Sequence, residues 1–464
     1  MFAKRIKRTI LEVLRGGEDL DFTAMGVKRA IALLSVPMVL EMAGEALFAL
    51  VDVFFVSRVS MDAVATVGLT ESVMTIIYSL AWGMGMGITA VVARRTGEKD
   101  AGGASRAALQ GVILATAIGL AIAVPGMLFA SDILRLMGAD AAVVRTGSGY
   151  TAILFGSNVV ILLLFSINAI FRGAGNALMA LWSLWLANIV NCILDPLLIF
   201  GIGPLPEMGL TGAAVATSIG RGCGVLLQLW YLFRPAGRVS LRGVPLRVNL
   251  GVMANIIKVS FWGTVQFLIP SGSWMFLVRI VSSFGSPAVA GYTIAVRMII
   301  FSLLPAWGMA NAASTLVGQN LGARQPERAA RSAWLCGHYN MAFMVSVAVF
   351  FWIAAPWLIA FFTTDAAVAS FGIDALRIIC LGYFFYGYGM VLAQAFNGAG
   401  DTLTPTWMNV ICFWVLEIPL AWFLARYLGW GPNGVFASVA ISESALALLS
   451  GYLFRMGRWK LVKV

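Results

Sequence analysis

Glu41, Glu45 and Asp52 fall in PMVLEMAGEALFALVD, residues 37–52, within an apolar run from Ala30 to Val56 that is long enough to cross a bilayer. At 100° per residue the three acids lie at roughly 0°, 40° and 20°, on one stripe of one helix. A carboxylate at bilayer depth is costly, and persists where it faces a bundle interior or a water-filled cavity. There it marks an ion or substrate path, and its chemistry is to take up a proton or a cation and release it again.

A second polar run, Asn188-Ile-Val-Asn191-Cys-Ile-Leu-Asp195-Pro196, repeats the pattern. Asn188, Asn191 and Asp195 share a helical face within about 60°. Asp52 stands six residues before Arg58, and Asp195 six before Gly201. Both carboxyls are therefore expected roughly 9 Å below the outer surface, at matching depth. Two carboxylates in one low-dielectric pocket can hold a single proton, or trade it for a cation. Pro37 and Pro196 remove backbone hydrogen bonds beside this pocket, so both helices can bend as it is loaded. The structural alternative is that Asp195 caps a backbone group freed by Pro196. Glu41 and Glu45 are expected either to line a substrate cavity or to join a buried hydrogen-bond network, and Asn158 and Asn168 are further candidates for that cavity.

The elements that hold these residues follow from composition. The chain has 464 residues, 60% hydrophobic and 11% charged, which excludes an ordinary soluble domain. Apolar runs of about 20 to 30 residues between short charged clusters count out to twelve helical spans, too long and continuous for barrel strands. Spans 4 and 10 are expected over 142–171 and 367–396. The net charge of +11 lies in alternate loops: Lys and Arg crowd the segment before span 1, the loops after spans 2, 6 and 8, and the C-terminus. That asymmetry indicates cytoplasmic termini on a multi-pass membrane protein, and argues against nucleic acid as a partner. The basic N-terminal segment is amphipathic and suits an anionic lipid surface. Cys192, Cys223, Cys336, Cys380 and Cys412 are scattered singly and His338 is the only histidine, so no disulfide, cofactor or metal cluster is expected. No nucleophile or acid–base set stands out, which excludes an enzyme. GMGMG at Gly83–Gly87 follows no strand and reads as close helix packing.

The second six spans repeat the first six at an offset of 225 residues: Asp62 of DAVATVG aligns with Pro287 of PAVAGYT, and Phe171 of FRGAGN with Phe396 of FNGAGD. Six spans per half give parallel repeats, related by pseudo-two-fold symmetry along the membrane normal. The expected division is a segment 1–28, a first lobe 29–233, an interlobe loop 234–250 and a second lobe 251–464. Under the offset, Glu41, Glu45, Asp52, Asn168, Asn191 and Asp195 map to Gln266, Pro270, Leu277, Ala393, Leu416 and Leu420. The architecture tolerates apolar residues at most of these places, so polarity in the first half serves function. Glu417 and Glu443 are the second half's own intramembrane acids.

Twelve spans in two parallel halves, VD in span 1, FRGAGN after span 4, NxxxDP in span 5 and FNGAGDT after span 10 together resemble the multidrug and toxic compound extrusion (MATE) family, in its DinF-like prokaryotic branch. The resemblance covers nearly the whole chain. It implies an all-α fold of two six-helix bundles and export of amphiphilic, often cationic compounds driven by H+ or Na+. It also implies coupling residues Asp52, Asn191, Asp195, Tyr150 and Thr217, a bend at Pro37, Na+ at Asp52, Asp195 and Asn191 as the one metal-ion option, and a monomer without cofactors. Phe165, where a polar residue is expected, and Pro270, where sodium-coupled relatives carry an acid, depart from the pattern. The alternative within the superfamily is a lipid-linked oligosaccharide flippase, which needs a strongly cationic cavity.

Overall fold

A helix pairs every backbone N–H and C=O within its own segment, which hydrocarbon demands, and the apolar runs accordingly become long helices. The computed structural model describes residues 20–56, 58–203, 206–234 and 237–462; the side chains of Leu50, Asp52, Val53 and Met61 also lie outside the described residues. Residues 1–19 of the expected N-terminal amphipathic segment fall outside it as well. The first half holds α1 (Val27–Val56), α2 (Met61–Gly97), α3 (Ala101–Leu128), the short α4 (Ala130–Leu136), α5 (Ala141–Gly156), α6 (Asn158–Ala174), α7 (Ala177–Phe200) and α8 (Leu210–Leu232). The second holds α9 (Leu250–Ser282), α10 (Ser286–Gly322), α11 (Pro326–Ala360), α12 (Ala366–Cys380), α13 (Tyr383–Ala399), α14 (Leu403–Asn409), α15 (Ile418–Trp422) and α16 (Pro432–Met456). Two π-helical stretches, Val410–Glu417 and Phe423–Tyr427, flank α15.

Among the described residues ten stretches are long and apolar enough to cross a membrane, or eleven with the bent pair α12–α13. Helix α1, with 30 residues and Glu41, Glu45 and Asp52 along it, is the expected first span. The expected continuous spans 4 and 10 are each two helices. Span 4 breaks at Ser157, whose hydroxyl donates to the Leu154 carbonyl (3.1 Å) and so competes with the helical ladder. Span 10 breaks at Leu381–Gly382, with a 58° bend. A Cβ on Gly382 would stand 3.0 Å from the Ala440 carbonyl oxygen, so glycine at the start of α13 eases its close approach to α16.

The two breaks are one repeat apart, and other local details recur at the same offset. Asp140 caps α5 by accepting from Val143 N (2.8 Å), and Asp365 caps α12 by accepting from Ala367 N (2.8 Å). Gly175 (φ 84°) and Gly400 (φ 88°) end α6 and α13 in the left-handed region that glycine adopts without strain. Lys99 and Arg324, non-glycine residues at φ 60° and 57°, are a third matched pair.

Packing divides the chain into two units. Unit 1 holds Leu40–Phe261 and the residues just before Phe22; unit 2 holds Phe22–Val39 and Trp262–Val464. The boundaries thus fall inside α1, two residues after Pro37, and inside α9. In unit 2 the start of α1 is held where Gly308 of α10 leaves room, since a Cβ there would meet the Met38 carbonyl oxygen at 2.5 Å. In unit 1 the GMGMG run serves helix packing: a Cβ on Gly87 would meet the Ile256 carbonyl oxygen at 2.6 Å.

Candidate functional site

The polar face of α7 is built by close approach of α8. A Cβ on Gly212 would lie 2.6 Å from the Leu198 carbonyl oxygen, one on Gly220 2.6 Å from that of Ala187, and one on Gly224 2.9 Å from that of Ser183. Small residues at such spacing let two backbones pack tightly in a membrane. The close packing brings Thr217 to Asn191. Asn191 Nδ2 donates to Thr217 Oγ1 (3.2 Å) and to Asp195 Oδ1 (3.2 Å), with Asp195 fully buried and Asn191 nearly so. Gly220→Ala is expected to cost about 1–3 kcal/mol by overpacking and to separate Thr217 from Asn191. The check is thermal unfolding in detergent against Gly222→Ala, where a Cβ meets nothing within 4 Å.

Tyr150 of α5 is buried in one apolar cluster with Val56 and Ile199. Val56 is one turn beyond Asp52 and Ile199 one turn beyond Asp195, so the backbones carrying both acids converge beside Tyr150. Asp52 itself is placed on α1, but its side chain lies outside the described residues. Pro37 and Pro196 both sit inside continuous helices, and Pro196 takes the helical donor away from residue 192 immediately after Asp195.

The other candidates form a second group deeper along α1. Glu41, 1% exposed, accepts at Oε1 from Asn168 Nδ2 (3.2 Å) and from Arg172 Nη1 (3.3 Å). Asn168 Oδ1 in turn accepts from Gln228 Nε2 (2.6 Å) and Ser183 Oγ (3.1 Å). Glu45, half-buried, lies 4.0 Å from Arg221 Nη2, whose guanidinium stands over the rings of Phe48 and Tyr78. Asn188, also half-buried, donates to the Gly44 carbonyl (3.3 Å). Asn158 is fully buried at the start of α6, and neither its Oδ1 nor its Nδ2 has a hydrogen-bond partner among the described residues. It is not brought to the others.

Arg172, Arg221, Ser183 and Gln228 are the partners that sequence reasoning missed. Arg221 carried a signal: an arginine in the middle of an apolar span needs an acidic or carbonyl partner at the same depth. Arg172, in FRGAGN after span 4, carried none.

Each matched acid–arginine pair holds a buried charge in balance. Asp195 Oδ1 accepts instead from the Asn191 amide, which also donates to Thr217 Oγ1. The MatE family profile matches residues 37–197 and 264–423, one stretch in each half of the repeat. The chain is 25% identical over 449 residues to the probable multidrug resistance protein YpnP of Bacillus subtilis, covering 96% of this chain and 98% of that protein. It is 26% identical over 442 residues to the probable multidrug resistance protein NorM of Thermotoga maritima, covering 94% and 93%. A solved outward-facing multidrug resistance MATE family transporter of the MOP superfamily superimposes with a TM-score of 0.88 at 26% identity, over 94% of this chain and 96% of that one. The chain is a multi-pass membrane transporter, not an enzyme, and belongs to the MatE family.

Proposed function

We propose that this transporter exports amphiphilic, often cationic compounds in exchange for H+ or Na+, with the coupling ion held at Asp195, Asn191 and Thr217 of α7 and α8 together with Asp52 and Tyr150. The observation that carries the reading is the buried Asn191–Asp195–Thr217 group at a place where the second half of the repeat has Leu416 and Leu420. The relatives named as multidrug resistance proteins support the substrate class. Loading Asp195 beside Pro196, and Asp52 on the Pro37-containing helix, biases the bend of α7 and α1, and a ligand shifts such an equilibrium only by its differential affinity for the two shapes. Glu45 of α1 and Asn188 of α7, both half-buried, are assigned to the substrate path; Glu41 and Asn168 support its wall. The protein works as a monomer in the inner membrane, with both termini cytoplasmic.

Export of a lipid-linked oligosaccharide would require unbalanced positive charge. Arg172 and Arg221 instead each face an acid, Glu41 and Glu45.

The test is ethidium movement in proteoliposomes with a pH gradient or a sodium gradient imposed one at a time. Accelerated exchange under one of them is expected, and names the ion. Ethidium movement indifferent to both gradients would overturn the coupling assignment.

A further inference from the structure

Unit 2 has leucines where the first unit has Asp52 and Asp195, but carries Glu417 and Glu443 within its apolar stretches Leu403–Tyr427 and Pro432–Met456. Glu417 ends the π-helical stretch Val410–Glu417, and π turns recur at functional sites because they re-aim side chains that a regular helix would stagger. Pro419 follows two residues later and opens the backbone further. Glu417 is 4% exposed, and its Oε2 lies 2.6 Å from Ser273 Oγ of α9. Ser273 Oγ also lies 3.0 Å from the Phe413 carbonyl oxygen. A serine has one proton to give. Both contacts are satisfied at once when Glu417 carries a proton and donates to Ser273, which donates to Phe413.

Glu443 of α16 is half-buried and stands within electrostatic range of Glu417. Among the described residues no arginine or lysine forms an ion pair with either, in contrast to Glu41 and Glu45. The other polar groups facing the pair are phenols, thiols and hydroxyls. Tyr386 of α13 is in electrostatic range of both carboxyls. Tyr383 reaches Glu443 and shares a 2.9 Å hydrogen bond with Ser302. Cys412 lies on the π stretch itself, in range of both acids, while Cys380 meets the pair only through Tyr383. Tyr292 of α10 faces Glu417, is 1% exposed, and its hydroxyl has no hydrogen-bond partner among the described residues. Its ring is fixed between Trp274 (5.7 Å) and Phe436 (5.5 Å), so the unpartnered hydroxyl is held in place within electrostatic range of Glu417. Gly382, by admitting α13 close to Ala440, sets Tyr383 and Tyr386 on the side of α16 that bears Glu443.

A buried carboxylate and a half-buried one in electrostatic range of it, with no counter-cation paired to either among the described residues, cannot both be ionised at modest cost. We infer that Glu417, Glu443, Ser273 and Tyr292 form a second proton-binding site, in the second unit, loaded independently of Asp195. A proton from water forms an O–H bond on one carboxylate; Glu417 with its Ser273 acceptor is its resting place, and half-buried Glu443 is where it enters and leaves.

Infrared difference spectroscopy on the full-length protein in nanodiscs, in H2O and D2O at neutral pH, reads this directly. The wild type is expected to show a protonated-carboxyl C=O band that shifts in D2O. The E417Q/E443Q variant is expected to lose one carboxyl's share of that band, and Asp195→Asn to keep it. Ser273→Ala removes the acceptor of the Glu417 proton and should move the band to higher frequency without loss, which keeps the test open where the double variant accumulates poorly. A double variant with the wild-type band, no response to Ser273→Ala, or loss of the band when sodium replaces potassium at constant pH would each overturn the assignment. A wild type that moves no ethidium would sink the exporter reading and leave this one standing, since the band is read without transport.

Discussion

Asp195→Asn is expected to abolish gradient-driven export while leaving the protein folded and able to bind substrate. Asparagine keeps the shape of the side chain and an acceptor for Asn191 Nδ2, which now reaches Asp195 Oδ1 at 3.2 Å. It removes the proton-titratable and cation-attracting oxygen. Coupling free energies of the usual size, about 1–3 kcal/mol, correspond to about 5- to 150-fold changes in linked binding. Loss of the whole coupling term should therefore lower the gradient-dependent component of ethidium efflux toward the upper end of that range. Ethidium binding to the detergent-solubilised protein should change little. Efflux at wild-type rate in Asp195→Asn would remove α7 from the ion path. Asp52→Asn, made in parallel, tests whether the first helix contributes to the same event: the double variant should be no worse than either single one.

The second large effect is structural. Arg172→Met should destabilise the first unit by about 3–5 kcal/mol, because it leaves the Glu41 carboxylate buried without its cation. Glu41 is 1% exposed and its Oε1 accepts from both Asn168 and Arg172, so loss of the arginine cannot be made good by water. Adding Glu41→Gln should restore most of the loss, since a neutral amide needs only the hydrogen bonds Asn168 still supplies. The measurement is the midpoint of thermal unfolding in detergent for the two single variants and the double. Single variants whose losses simply add would show that Glu41 and Arg172 do not act as a pair. The Glu45–Arg221 pair, longer at 4.0 Å and more exposed, should show a smaller coupling in the same cycle.

The two cycles separate roles that the stripe Glu41, Glu45, Asp52 presents as one. All three acids share a helical face, and periodicity alone gave no reason to treat them differently. Their surroundings do. Glu41 is locked in a network with Asn168, Arg172, Ser183 and Gln228, Glu45 is opposed by a guanidinium between two rings, and the α7 group with Asp195 has amide and hydroxyl neighbours. Glu417 was visible as an intramembrane acid, but nothing in its neighbourhood in sequence announced Ser273, 144 residues away, or the orphaned hydroxyl of Tyr292.

Hydropathy and spacing by themselves determined the helical spans, the repeat and the face on which each acid lies, because these depend on local sequence: a span needs only enough apolar residues in a row, and a helical face only a period. The 58° bend at Leu381–Gly382 was not so determined, since a glycine inside an apolar run marks a bend only where a neighbouring element packs against it. Which cation neutralises which acid was decided by tertiary structure alone. Glu41 and Arg172 are 131 residues apart, and their meeting depends on how α1 packs against α6, a contact that side-chain volume and glycine-permitted backbone approach determine and no local pattern encodes.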